Sequence, residues 1–499
     1  MDRIPTGLFF DESSIGYNAM TVWQNGVDEH DVRFPIYFES VGDYKNPIYI
    51  YAVVPVFAIF GISEYTLRFT SVLFYAASLL LTFLLATKLF HGNKTIQLYL
   101  LASFGFLPLF FTISRIAFEV ISQLAWVSAV GLCIWMVFHE EGNRRLENFK
   151  PLLCGVVLGT FTYTYSTSRL ISTVALGVLW LVYFERKNIR KLFLISIAFI
   201  VCLIPLAWFT LKFPGAITSR FRGLSYIDAP IPPAEKMGIF AHNLATYFSL
   251  DFLILHGDNN LRHSTGQGGI VYIVTLILFL IGLAYFLINN KFDRFNVFLL
   301  LNLIISPLAA ALTSEGTPHT LRGMLLGYYI LLISCYGLKY LLEFSHSRVR
   351  TFSIACVSIL LLYEVTNYQV DYFFRYPARS VDAMGSYDLK GSLEFAIGEN
   401  PKEIILFDNF AGGLYNFQFY ELVVTNPNHI PILAAPAVMP TPGACIIYHR
   451  LSGAEEELDK YPLAYTEFRS RTRPSELEKQ FGAEPFSGVI KARCYQDTQ

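Results

Sequence analysis

The sequence predicts a polytopic α-helical membrane protein that ends in a small, non-cytoplasmic α/β domain. Three observations lead there. The chain is 54% hydrophobic and 15% charged, with a mean hydropathy of +0.43, whereas a soluble chain of this length needs more charged surface. Apolar runs of roughly 17–25 residues, long enough to cross a bilayer, recur from about Arg68 to Phe374. After Phe374 the pattern changes to short β-like runs separated by turn signals. A formal net charge of −1 argues against nucleic acid as a partner.

Three regions follow from this patterning. Residues 1–65 read as a polar, aromatic-rich outer loop with interfacial helices, residues 66–374 as the transmembrane body, and residues 375–499 as the α/β domain. About ten spans are expected, near 66–90, 96–113, 118–138, 151–166, 168–184, 192–211, 270–288, 296–313, 320–342 and 350–372. Pro47–Phe60 is apolar but short and interrupted by Pro55, so it reads as an interfacial or re-entrant helix. Alternate short loops then carry Lys88 and Lys94; Arg144, Arg145 and Lys150; Arg186, Lys187, Arg190 and Lys191; Lys291 and Arg294; Arg348 and Arg350. The positive-inside rule puts those loops in the cytoplasm. The head, a long loop over 212–269 and the tail then share the opposite face of a multi-pass cell-membrane protein.

In the tail, Glu403–Phe407, Ala444–Tyr448 and Gly488–Cys494 read as strands and Gly413–Leu422 as an amphipathic helix. Five of the seven cysteines lie in apolar runs, while Cys445 and Cys494 lie in the tail and could pair in an oxidising compartment. No cleavable signal peptide is visible before Asp11, and no internal repeat of the kind that marks secondary transporters is evident.

Five polar clusters gather on the expected outer face. The first is Asp11-Glu12, with Ser13, Ser14 and Tyr17 following; Asp11 reads as a helix cap that can also present its carboxylate to a cavity. The second runs from Tyr37 through Tyr44 and Lys45 to Pro47, where Lys45 either snorkels to headgroups or serves as a point charge for phosphate. In the third, Arg115 and Glu119 stand four apart and can pair along one helix or face a wet cavity; Arg169 invites the same two readings. The fourth, Asp251 to Ser264, holds His256, Asp258, Arg262 and His263. Its spacing follows neither a helical His pair nor a calcium loop, so a divalent metal is the weaker reading; Arg262 and His263 read as anion or sugar contacts, and His256 and Asp258 as plain loop structure. The fifth is Thr317-Pro318-His319-Thr320-Leu321-Arg322, with Arg322 on a first helical turn.

A carboxylate pair, several cations and aromatic rings at a membrane surface make a usable chemical set. A base removes the proton of an acceptor hydroxyl, and a positive clamp stabilises a departing phosphate. The order of these motifs is similar to that of the GT-C glycosyltransferases. Phe10-Asp11-Glu12, Gly16-Tyr17-Asn18-Ala19, Asp43-Tyr44-Lys45-Asn46-Pro47 and Gly61-Ile62-Ser63-Glu64 with Arg68 resemble the first outer loop of that superfamily. The branch resembled is that of the protein O-mannosyltransferases and lipid A aminoarabinose transferases, in its prokaryotic form.

The resemblance implies an inverting transfer on the outer face, from a polyprenyl-phosphate-linked sugar to a hydroxyl acceptor on a protein, lipid or glycan, with no nucleotide sugar; no cofactor is expected, a divalent metal being the weaker reading. By that match Asp11 is the base and Glu12 its neighbour. Lys45 holds the donor phosphate, helped by Arg115, Arg262 and Arg322. Tyr17, Tyr44, Glu119, His263 and His319 are further candidate substrate contacts. Three departures stand out: a span expected before the acidic pair is missing, Asn46 occupies a position where relatives often have proline, and Glu119 is the nearest acid after Ser114-Arg115 where relatives often have aspartate. The alternatives are a transporter or flippase of lipid-linked sugars, and a catalytically dead scaffold that has lost its first span.

Overall fold

A computed structural model of the chain describes residues 4, 5, 7–40, 42–140, 147–289, 291–343, 346–386, 388–407, 413–435, 439–449, 452–468 and 490–496. The expected Arg144 and Arg145, and residues 488 and 489 of the last expected strand, lie outside these. The chain forms two compact units. One comprises Met1–Phe34, Val53–Arg68 and Val370–Gln499; the other comprises Pro35–Ala52 and Phe69–Gln369.

The second unit is the membrane body. Among the described residues, seven helices are long and apolar enough to cross a bilayer: Glu64–Leu89, Val120–Phe138, Ile189–Lys212, Pro233–Leu255, Arg294–Ala311, Met324–Leu342 and Ser347–Phe374. The first and last of these run across the boundary between the units. Shorter apolar helices span Pro47–Phe60, Phe149–Phe161, Ser168–Tyr183 and Ile273–Ile288. The expected span 96–113 is two helices, Lys94–Phe106 and Pro108–Ile113, because proline cannot supply the amide that would continue the first. Residues 212–269, expected as a loop, carry helices Ala216–Leu224 and Pro233–Tyr247 and a π-turn at Asp251–Leu255. Sequence reading passed over Pro233–Leu255 because it is the least apolar of the seven.

Small residues set how closely these helices approach. A Cβ at Gly337 would lie 1.9 Å from the Leu278 carbonyl oxygen, and one at Gly282 would lie 2.3 Å from that of Ile333. Helices Ile273–Ile288 and Met324–Leu342 therefore meet backbone to backbone, the arrangement that van der Waals packing favours where apolar burial drives no association. Asn93 and Asp293 cap the helices that follow them, each accepting from backbone amides of the first turn.

The first unit contains the head helix Phe10–Asn25 and the tail domain. The tail is built on a five-stranded sheet of order β4-β3-β5-β7-β6, where β3 is Glu403–Phe407, β4 Ile432–Ala435, β5 Ala444–His449, β6 Tyr465–Glu467 and β7 Ile490–Tyr495. β4, β3 and β5 run parallel, while β5, β7 and β6 alternate. The helix Gly413–Val423 makes the crossover between β3 and β4. This is the α/β domain expected from the sequence. Its two cysteines face each other in register and form the Cys445–Cys494 disulfide.

The head helix packs on this domain. Leu8 N donates to Ser386 Oγ at 2.8 Å, and Ser13 Oγ donates to Asn416 Oδ1 at 2.6 Å. Gly16 leaves room for the Phe419 ring, whose Cε2 would lie 2.5 Å from a Cβ at that position. Gly26, in the left-handed conformation, ends the helix.

Candidate functional site

The acidic pair opens the head helix, but Asp11 is not its cap. The cap position is Phe9, and Asp11 is half-buried as the second helical residue. Glu12 is fully buried. Its Oε2 accepts the Phe9 amide at 3.0 Å, which is one half of a capping box. Arg68 then grips both carboxylate oxygens, donating from Nε at 2.8 Å and from a terminal nitrogen at 2.9 Å. The same guanidinium donates to the carbonyls of Pro5 and Gly7. With two charge-assisted bonds and buried surroundings, Glu12 fixes where the helix begins and so where Asp11 stands. Tyr17, six residues past Asp11, is half-buried; burial first, then Glu29 and Glu421, push its phenol above the ordinary value.

In the membrane unit, Lys45 ends the second strand of a hairpin made by β1 (Phe38–Ser40) and β2 (Asp43–Lys45), where it pairs with Phe38. Tyr44 lies opposite Glu39 and donates to it at 3.1 Å. Asn46 is buried directly after Lys45. Its amide and its Nδ2 each donate to Glu119 at 2.7 Å, while its Oδ1 accepts from Arg169 at 3.0 Å. Arg169 also donates to the Ile217 carbonyl and lies over the Tyr37 ring. The two departures at Asn46 and Glu119 are therefore bonded to each other, and a proline at 46 could make neither donation. Burial pushes the Glu119 carboxyl up to about 7, against the lowering pull of Lys45 and of the Asn46 bonds.

Arg115 and Glu119 do not pair along one helix as the first reading of their spacing had it. The helix stops at Ile113 and the next begins at Val120. Arg115 instead lies 3.3 Å over the Phe111 ring and donates to the Phe111 carbonyl and Ser114.

The two remaining motifs meet in one cluster. Asp258 is buried and accepts the Asn260 amide at 2.9 Å and the Thr320 amide at 2.7 Å. His263 Nδ1 lies 3.0 Å and His319 Nδ1 4.0 Å from its Oδ2, and the two imidazoles stack at 4.7 Å. Burial opposes ionisation of Asp258, yet His263, His319 and the Thr320 amide lower it to about 2. Burial, then His263 and Arg322, push the His319 imidazole well below its ordinary value. Arg262 is anchored to Asn260 at 3.0 Å, and Arg322 donates to Thr313 at 2.9 Å and to the Glu315 carbonyl at 2.8 Å. Tyr247 accepts the His319 amide, which fixes the turn that carries Arg322.

Sequence reasoning assigned no role to Asn46, and it took Asp258 as plain loop structure. The break from proline at 46 was a usable signal, as was the Asp-Asn-Asn run that favours side-chain-to-backbone turns.

No sequence family matches the chain, and no curated protein matches it in sequence. Among solved structures it is similar to ArnT from Cupriavidus metallidurans in the apo state, with a TM-score of 0.53 at 12% identity over 98% of this chain and 94% of that one. It is also similar to ArnT from the same organism bound to undecaprenyl phosphate, with a TM-score of 0.52 at 12% identity over 98% and 95% of the two chains. At that identity the likeness is one of fold, and it is the GT-C-like fold that the motif order implied.

Proposed function

We propose that the chain is an inverting glycosyltransferase of the cell membrane that moves a sugar from a polyprenyl-phosphate-linked donor to a hydroxyl acceptor on the outer face. The observation that carries this reading is the seat of Asp11. A half-buried carboxylate stands in the first turn of a helix whose start is locked by the buried Glu12–Arg68 pair. A base needs such fixed placement more than it needs a special environment. The likeness in fold to a protein solved with undecaprenyl phosphate supports the class of donor. The Cys445–Cys494 disulfide supports a tail in an oxidising compartment, hence an outer face.

In this reading Asp11 takes the acceptor proton as the hydroxyl oxygen attacks the anomeric carbon. The bond from that carbon to the phosphate oxygen breaks, and polyprenyl phosphate leaves with the electron pair. Lys45, Arg262 and Arg322 are the cations proposed to receive its charge, with Arg115 as a further contact. Glu12 and Glu119 are positioning residues: one holds the start of the head helix, the other holds Asn46 and with it the strand end that bears Lys45.

The test is transfer by purified protein from a polyprenyl-phosphate sugar to a hydroxyl acceptor. Asp11→Asn should lower kcat by at least about a hundredfold, as expected on losing a general base, while expression and lipid-phosphate binding stay near those of the unaltered chain. Full turnover by that variant overturns the assignment. Movement of the lipid-linked sugar across a bilayer with no transfer would favour a flippase instead.

A further inference from the structure

We infer that Asp258, His263 and His319 form a binding site for one divalent transition-metal ion of the zinc class, which ties the segment after helix Pro233–Leu255 to the turn before helix Met324–Leu342. Each residue offers one ligand atom, and these atoms all lie within 4.8 Å of one another. Two imidazoles and one carboxylate are a donor set suited to zinc, with a fourth position left for water or an anion.

The polar atoms at the cluster point to a missing partner. His263 is 3% exposed, and its Nδ1 meets no hydrogen-bond geometry despite lying 3.0 Å from Asp258 Oδ2. His319 Nδ1 is likewise buried without a hydrogen-bond partner. A buried ring nitrogen left without a partner costs on the order of 1–3 kcal/mol, and here two lie within 4.0 Å of the same carboxylate oxygen. A shared cation satisfies both imidazoles and the carboxylate at once.

The Thr320 and Asn260 amides also donate to the Asp258 carboxylate and hold it in place. Arg262 and Arg322 belong to the same two segments as the cluster, and the single carboxylate does not neutralise a divalent ion. The open position is therefore suited to an oxyanion or hydroxide. This inference is independent of the transferase reading, because its readout is bound metal and not turnover.

The full-length protein, purified in detergent without chelators, should carry about one zinc per chain by elemental mass spectrometry. After chelator stripping, added cobalt(II) should give the visible absorption bands of a low-symmetry four-coordinate ion. H263Q and H319Q should each weaken zinc binding by at least about tenfold. The site is overturned if the unaltered chain takes up neither zinc nor cobalt. It is equally overturned if both variants retain as much metal as the unaltered chain, since the metal is then adventitious. The cobalt spectrum of the unaltered chain decides the matter even if a variant fails to fold.

Discussion

Arg68 and Glu12, 56 positions apart, form a bidentate ion pair with side-chain exposures of 1% and 0%. The pair anchors the segment that carries the acidic motif. Two restraints hold that segment: the Arg68 guanidinium on Glu12, and the tail helix, whose Asn416 accepts from Ser13 and whose Phe419 packs at Gly16.

Removing one partner of such a pair leaves a buried charge uncompensated, which costs about 3–5 kcal/mol. Arg68→Leu and Glu12→Gln should therefore each lower the unfolding temperature of the detergent-purified protein by several degrees. Arg68→Lys should recover only part of the loss, because an ammonium cannot span both oxygens. Thermal unfolding followed by intrinsic fluorescence checks this, and an unchanged midpoint for Arg68→Leu would contradict it.

Asn46→Pro should be poorly tolerated even though proline is common there in the proteins the motif resembles. The substitution deletes two donations to Glu119 and the acceptor of Arg169, leaving buried groups unsatisfied at about 1–3 kcal/mol each. Pairing it with Glu119→Ala should cost less than the sum of the two single changes. Simple additivity in that double-mutant cycle would argue against coupling.

The Glu119 carboxyl carries a pH signature. Its value in the folded chain is about 7 against an ordinary 4.5, so between those values the folded state holds a proton that the unfolded state has released. Stability then falls as pH rises through that window, by at most about 3 kcal/mol. Below about pH 4.5 the contribution is constant. Glu119→Gln should flatten this part of the stability–pH curve, and denaturation series at several pH values would show whether it does.

The Cys445–Cys494 disulfide closes a separation of 49 residues. Loop-closure entropy gives it a stabilisation of about 4 kcal/mol. Cys445→Ser should lower the tail's melting temperature, as should reductant added to the unaltered protein. A tail whose unfolding is insensitive to both would contradict the expectation.

The buried Arg493 should be the other sensitive position in the tail. It reaches Glu455, Asp459 and Glu467 and lies 4.5 Å over the Tyr465 ring. Arg493→Ala should cost about 1–3 kcal/mol, because the carboxylates it leaves behind are themselves a third or more exposed, visible as increased proteolysis confined to the tail. Cleavage patterns identical to those of the unaltered chain would count against this.

Local composition was enough to show the membrane class, most of the apolar helices and three of the five described tail strands, β3, β5 and β7. Hydropathy and alternation are properties of consecutive residues, and β3, β5 and the helix Gly413–Val423 fall close to where those patterns put them. Motif order was likewise legible, and it pointed to the fold that the similar structures share. The pairing of Asn46 with Glu119, of Glu12 with Arg68, and of Asp258 with two histidines was not legible. Asn46 with Glu119, Glu12 with Arg68 and Asp258 with His319 join residues distant in sequence, and each depends on which side chains burial deprives of water. Asp11-Glu12 read as one acidic pair; only tertiary packing separates its halves, leaving Asp11 half-buried while Arg68 encloses Glu12, because a fully buried carboxylate must find a cation.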